Sequence, residues 1–294
     1  MPKRVNKVIE LLEQGQPVYC VHPNELSFSG GQQMAKTWAD WVRVDMEHSG
    51  FDMPNLEAFM RGLVEGGPTN SGHRTPTVTV ELPFGGYSEA VIRANAWMIQ
   101  LVLGIGVHGV LLCHAETPAA IKAFIESCRY AFHTHSVGNG LAQGQRGAGG
   151  EFIAADVWGL SILEYQEKAD VWPLNPDGEI VMGIKVESNN ATSRAEKLTM
   201  VPGLCFAEWG PADMTASFGY MGRHFRPFPE DVLEARAKVM SAVKKAGLHF
   251  LHSTYRDDII DLINEGVMLC DPHGDDLEEI AMIGRAFTGY ADTG

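Results

Sequence analysis

The sequence predicts an α/β fold, a (β/α)8 TIM barrel, on three observations. Apolar strand-like runs and amphipathic helix-like runs alternate through eight units. The 294 residues, 45% of them hydrophobic, are enough for one large core, so a single domain over residues 1–294 is expected. The strand-like runs also end in acidic and imidazole side chains, and barrels carry their reactive groups at the C-terminal ends of the strands. An open doubly wound sheet is the alternative. It would normally show a glycine-rich phosphate turn after an early strand, and neither Gly85-Gly86 nor Gly149-Gly150 is one.

Each element has a local reason. Apolar residues at helical spacing predict a first helix over 5–14. Short apolar, β-branched runs predict strands over 18–22, 41–45, 77–82, 110–114, 180–187, 204–208, 249–252 and 267–270. Helices are expected between them over 29–39, 54–65, 88–103, 118–131, 192–198, 230–246 and 257–265, with a last helix over 277–289. Trp38, Trp41 and Trp97 are expected in the core. One stretch breaks the rhythm. Residues 132–150 are rich in Gly, Gln and His, a helix-like run follows over 157–170, and 172–178 is a turn cluster. An insertion over 132–178 of this kind predicts a functional loop or lid, flanked by His133 and His135.

Bulk properties exclude several classes. A net charge of −14 argues against binding a phosphate backbone and against an acidic membrane surface. The five cysteines show no CxxC spacing and four lie in apolar strand-like runs, so buried free thiols are expected. The N-terminal segment has no apolar signal core, and 96–113 is split by Gly104, Gly106 and Gly109. These features predict a soluble cytoplasmic protein acting on a small molecule, without nucleic acid or membrane partners.

The strand ends supply the chemistry. Trp41-Val-Arg-Val-Asp-Met-Glu-His48 is an apolar strand that ends in Asp45, Glu47 and His48. A carboxylate beside an imidazole sets the position and pKa of a proton, or simply caps the strand. The other strand ends give His22, Glu81, His114, Glu116, Lys185, Glu187, Glu208, Asp213, Asp271 and His273. So acidic a rim suggests a divalent cation. Glu187 closes Ile184-Lys-Val-Glu187 and Asp213 lies in Trp209-Gly-Pro-Ala-Asp213. Two carboxylates from adjacent strands suit Mg2+, Mn2+ or Co2+ and leave positions open for a chelating substrate. The other role for Asp213 is a helix N-cap.

Asp45-Met-Glu-His48, Lys185-Val-Glu187, Gly210-Pro-Ala-Asp213 with Gly219-Tyr220, and Gln145-Arg-Gly147 together resemble, in order and spacing over roughly 30–290, the motifs of the HpcH/HpaI aldolase/citrate lyase family. The resemblance implies a barrel whose last helix packs onto a neighbouring subunit, typically in hexamers; the apolar residues of 277–289 are compatible with packing on its own barrel or with exchange onto a neighbour's. It implies a metal-dependent lyase that makes or breaks carbon–carbon bonds beside a 2-oxo acid. Glu187 and Asp213 would hold the metal, and His48, oriented by Asp45, would work with a water as acid and base. Thr79, Glu81, Arg146, Trp209 and Ala212 would contact substrate. The family's pyruvate aldolases carry an arginine in the third strand. Matching Pro76-Thr-Val-Thr79 to that strand puts Thr79 there, while Arg74 falls at the opposite end.

Either another cation replaces that arginine or the substrate lacks the oxo-acid group, for instance an aromatic hydroxy compound that releases a small aldehyde. Arg223 and Arg226, flanking His224, are candidate cations. Three readings follow: a metal-dependent aldolase-type lyase, a Schiff-base lyase using Lys185, or a ligand-binding protein without catalysis. Lys185 could equally balance the charge of Glu81 and Glu187. A homo-oligomer, trimer or hexamer, is expected.

Overall fold

The computed structural model describes residues 2–222 and 226–290. Its strands are β1 (Val18–Val21), β2 (Trp41–Asp45), β3 (Thr77–Gly85), β4 (Gly109–Cys113), β5 (Val171–Trp172), β6 (Ile180–Lys185), β7 (Phe206–Glu208), β8 (His249–Thr254) and β9 (Val267–Pro272). All neighbours are parallel. The sheet runs from β4 through β3, β2, β1, β9, β8 and β7 to β6, and β6 pairs back with β4. Eight strands therefore close into a (β/α)8 barrel, which excludes the open sheet. The two-residue β5 lies outside this ring, beside the start of β6.

Helices start soon after the strand ends because capping residues stand there. Ser88 accepts the Val91 N–H at the head of Glu89–Gly104, and Thr117 accepts the Ala120 N–H at the head of Pro118–Cys128. The helix expected over 157–170 is instead two, Glu151–Trp158 and Ile162–Lys168. Gly159, at φ 69°, ends the first in a left-handed turn, and Ser161 with Glu164 forms a capping box that begins the second. The region expected over 192–198 likewise holds two short helices, Asn189–Thr192 and Ala195–Thr199.

The alternation of the strands makes two cores. Val42, Val44, Val78, Val80, Val110, Leu112, Met182 and Ile184 face outward and pack under the helices. Val18, Cys20, Trp41, Leu111, Val181, Phe206, Leu251 and Leu269 fill the barrel interior. That interior is closed at the entry end of the strands by the first helix, Lys7–Glu13, through Val8, Ile9, Leu11 and Leu12. Trp97 is the exception to the expected core tryptophans. It is half exposed and makes an edge-to-face contact with Phe51. All five cysteines are free and buried. No helix among the described residues is long and apolar enough to cross a membrane.

The inserted segment does not form a lid over the strand ends. It packs at the opposite end, where the strands begin. The Trp158 indole donates to the Gly106 carbonyl just before β4, Arg74 Nε donates to the Val157 carbonyl before β3, and the Ile180 N–H donates to the Asp170 carbonyl. His133 lies there too, with Nδ1 3.5 Å from Asp170. The last helix, Leu277–Thr288, packs on its own barrel. Gly284 sits against the Tyr19 hydroxyl and Arg285 reaches Asp40 at 3.1 Å.

The insertion is anchored by one fully buried ion pair. Arg129 donates twice to Asp170, at 2.6 and 3.0 Å, and neither side chain meets solvent. Removing one member of such a pair costs about 3–5 kcal/mol. Asp170→Ala is expected to lower the unfolding free energy at neutral pH by about that amount in urea denaturation. Burial opposes ionisation of Asp170, but the Arg129 hydrogen bonds and charge outweigh it and hold the carboxyl below its ordinary value. The contribution is thus fully present above the unfolded pKa, about 4, and is lost as pH falls through the lower folded value. The wild-type advantage over Asp170→Ala is expected to shrink below about pH 4.

Candidate active site

The site forms where backbone pairing continues past the strands. The Met46 N–H donates to the Glu81 carbonyl and the Val186 N–H to the Glu208 carbonyl, so the chain stays in register and delivers Glu47 and Glu187 to the mouth. Asp45 ends β2 and folds the next residues round itself. Its Oδ1 accepts the N–H groups of Glu47 and His48 at 2.8 and 2.9 Å, and its Oδ2 lies 2.9 Å from His48 Nδ1. With the proton on Nδ1, as a carboxylate partner favours, Nε2 is left to exchange protons. The His48 ring is 65% exposed. Its partial burial disfavours the charged form, but the hydrogen bond to Asp45 and the charges of Asp45 and Glu47 outweigh this and raise its pKa.

Glu47, His114, Glu187 and Asp213 converge, each with a donor atom within 4.8 Å of the others. Glu187 is buried and accepts the His114 N–H at 2.6 Å. Burial, joined by the charge of Glu47 and opposed by Lys185, pushes its carboxyl up to about 8. His114 holds its place at φ 47°, a left-handed backbone that residues other than glycine rarely adopt, and strain of this kind gathers at functional sites. Its Nδ1 lies 3.3 Å from Glu187 and its Nε2 3.5 Å from Glu47. Glu47 Oε1 is buried without a hydrogen-bond partner. Oxygen and nitrogen donors, a buried carboxylate atom without a hydrogen bond and a local excess of acid are what a divalent cation answers. The residues present therefore fit such an ion.

Beneath this set lies a layer of buried charge. Arg43, on the inner face of β2, reaches Glu81 at 2.7 Å, Glu208 at 2.9 Å and Asp271 at 3.0 Å. Lys185 Nζ bridges Glu47 at 2.5 Å and Glu81 at 2.7 Å. Burial works against the Lys185 ammonium, but the surrounding carboxylates, Glu208 and Glu81 foremost, raise its pKa. Tyr87 closes one side, its ring stacked on His114 with centroids 5.4 Å apart.

The expected residues divide. Asp45, His48, Glu187 and Asp213 come together at one mouth, with Lys185 and Glu81 in the layer below and Ala212 exposed one residue before Asp213. Asp213 lies inside the first turn of Pro211–Ser217, not at its N-cap, which is Gly210. Thr79 does not reach the mouth. It is two residues deeper on β3, where Trp41 Nε1 donates to it at 2.8 Å, and Glu81 takes the site-facing position. Arg146 is also elsewhere, buried with Nη2 2.6 Å from the Tyr165 hydroxyl and its guanidinium over Tyr130. Trp209 is fully buried between His252 and Phe228, so it supports the floor and presents no free face to a substrate. Trp158 and Trp172, aromatic residues of the inserted segment, lie at the entry end of the strands and so away from this mouth. Arg226 is committed to Asp257 and Asp258, and Arg223 and His224 lie outside the described residues. Arg43, Glu47, His114 and Tyr87 acquire roles that were not assigned from the sequence. The alternation Trp41, Arg43, Asp45 was the available signal for Arg43, since it puts all three on one face.

Gly210 is the tightest constraint on the set. A Cβ there would stand 2.4 Å from Glu187 Oε2 and 2.9 Å from its Cβ. Gly210→Ala is expected to displace the Glu187 carboxylate. Mn2+ binding followed by electron paramagnetic resonance should weaken about 10–100-fold, the scale for disturbing a residue that orients a ligand. Unchanged Mn2+ affinity would count against Glu187 as a ligand.

Comparison with known proteins agrees with this architecture. The HpcH/HpaI aldolase/citrate lyase family model matches residues 31–261. Hydroxypyruvate/pyruvate aldolase of Paraburkholderia phytofirmans is 26% identical over 248 residues, 83% of this chain and 81% of that protein. An HpcH/HpaI family protein from Burkholderia cenocepacia has a similar fold, with a TM-score of 0.69 at 21% identity over 96% of this chain and 97% of that one. The citrate lyase beta subunit of M. tuberculosis, complexed with oxaloacetate and magnesium, has a TM-score of 0.54 at 13% identity over 93% and 98% of the two chains. With the barrel, the motifs in order and most of its length matched, the chain belongs to the HpcH/HpaI aldolase/citrate lyase family.

Proposed function

We propose that the protein is a divalent-cation-dependent aldolase-type lyase that cleaves or forms a carbon–carbon bond in a hydroxy-oxo acid or related hydroxy compound, with an aldehyde as one partner. The observation that carries this reading is the convergence of Glu47, His114, Glu187 and Asp213 beside the Asp45–His48 pair. Glu187 and Asp213 would hold the ion, with Glu47 and His114 alongside. Mg2+, Mn2+ or Co2+ bound there would polarise a substrate carbonyl and stabilise negative charge on it. The family relatives named as aldolases and the magnesium in the citrate lyase neighbour support the same choice.

The chain's own groups divide the remaining work. His48 is exposed at the mouth and exchanges a proton through Nε2, directly or through a water, with the substrate hydroxyl. Asp45 fixes the ring and favours its charged form after it has accepted that proton. Lys185 is a positioning residue that holds Glu47 and Glu81 in place. An ammonium clamped by two carboxylates is not a free amine, so the geometry does not favour a Schiff base. Arg43 is consumed by three carboxylates and is not free to bind a substrate carboxylate.

The test is pyruvate or aldehyde release across a panel of 4-hydroxy-2-oxo acids and aromatic hydroxy compounds. Activity should vanish on exhaustive chelation and return with Mg2+, Mn2+ or Co2+. His48→Ala should lower kcat by about 10²–10⁴-fold, the range of a lost general acid–base. Asp213→Asn should lower both activity and metal affinity. Full turnover after chelation would overturn the reading.

A further inference from the structure

A second cluster of donor atoms stands on the opposite wall of the mouth. Pairing of β1 with β9 brings Tyr19 level with Cys270, so Cys20 falls beside Asp271. His22, two residues past Cys20, points the same way. Cys20 Sγ lies 3.3 Å from Asp271 Oδ1 and His22 Nε2 lies 3.7 Å from the same oxygen. Each of the three residues has a donor atom within 4.8 Å of the others. We propose that Cys20, His22 and Asp271 form a second cation site, distinct from the Glu187 set, for a zinc-class transition ion.

Three features carry this assignment. The first is spacing. A tetrahedral ion with bonds of about 2.3 Å to sulfur and 2.0–2.2 Å to nitrogen and oxygen sets its donors about 3.4–3.6 Å apart. The 3.3 and 3.7 Å distances to Asp271 Oδ1 lie within about 0.3 Å of that edge length, and Cys20 and His22 have donor atoms within 4.8 Å of each other. The second is the division of labour on the carboxylate. Asp271 Oδ2 is held by Arg43 at 3.0 Å and faces His273 Nε2 at 3.4 Å, while Oδ1 is the oxygen turned to Cys20 and His22. The third is donor chemistry. One thiolate, one imidazole and one carboxylate select zinc-like ions over Mg2+ or Ca2+. Binding would release the Cys20 thiol proton to solvent, and the two anionic ligands would balance the ion's charge beside Arg43.

Three protein ligands leave a fourth position open. His22 lines a cleft of about 420 Å³ of mixed polar and apolar lining, with Asn24, Glu25, Leu26, Asp45 and Asp52 among its other residues. The open position would face this cleft, which Asp45 also lines. A water or a substrate oxygen could occupy it.

The full-length protein, stripped by chelation, can be titrated with Co2+. A thiolate-to-cobalt charge-transfer band in the near ultraviolet is expected, because no cysteine belongs to the Glu187 set. The band should disappear in Cys20→Ser and persist in Cys113→Ser, the other thiol near acidic groups. It should also persist in the Glu187→Gln/Asp213→Asn double variant, which keeps its outcome separate from that of the aldolase reading. His22→Ala, at an exposed position, should weaken Zn2+ binding at least tenfold in competition with a chromophoric chelator. This variant decides the matter if Cys20→Ser does not fold. Absence of the band in the wild-type protein, its survival in Cys20→Ser, its loss in Cys113→Ser, or unchanged Zn2+ affinity in His22→Ala would each overturn the proposal.

Discussion

The mouth of this barrel depends on how Arg43 is accommodated. A guanidinium buried inside a barrel is tolerable only if its donors are met by acceptors and its charge by opposite charge. Glu81, Glu208 and Asp271, from three different strands, do both. Lys185 then takes the remaining face of Glu81 and extends the network to Glu47. The result is a rigid deck of alternating charge across the barrel, with apolar packing below and the reactive groups above. A substitution in this deck would leave a buried charge unpaired, so its geometry is held far more stiffly than that of a surface cluster.

The deck does not neutralise itself. Two cations stand among Glu47, Glu81, Glu208 and Asp271, with Glu187 and Asp213 just beyond. Burial and the charges of Glu81 and Asp271 raise the Glu208 carboxyl in spite of Arg43 and Lys185, and burial raises Glu187. Local negative excess in a place water reaches poorly is the electrostatic condition for holding a multivalent cation. The left-handed backbone of His114 keeps an imidazole between two of these carboxylates. Backbone pairing beyond the strand ends then fixes Glu47 and Glu187 to the same rigid frame, which a loop could not do as well.

Much of this was legible in the chain. Apolar runs of the right length marked every barrel strand within a few residues, because a parallel sheet buried on both faces leaves a nearly continuous apolar trace. Asp45, His48, Glu187 and Asp213 were visible because each ends such a run or lies within a few residues of its end. Thr79 was misplaced because register along a strand decides depth, and two residues separate the apolar interior from the charged deck. Arg43 was hidden inside a run that reads as apolar, since its partners lie 38, 165 and 228 positions away. Such partners are set by closure of the barrel and leave no local mark. The insertion was readable as an interruption, but its composition carries no information about which end of the barrel it covers. Arg146 followed it to the wrong end for the same reason.

The plug formed by Lys7–Glu13 has a kinetic meaning. With Val8, Ile9, Leu11 and Leu12 filling the base and the charged deck above them, the barrel interior offers no passage from below to the mouth. Any molecule that contacts the deep carboxylates must arrive and depart through the same doorway as everything else. If two reaction partners sat one above the other there, they would share one route, and the outer one would have to leave before the deeper one could.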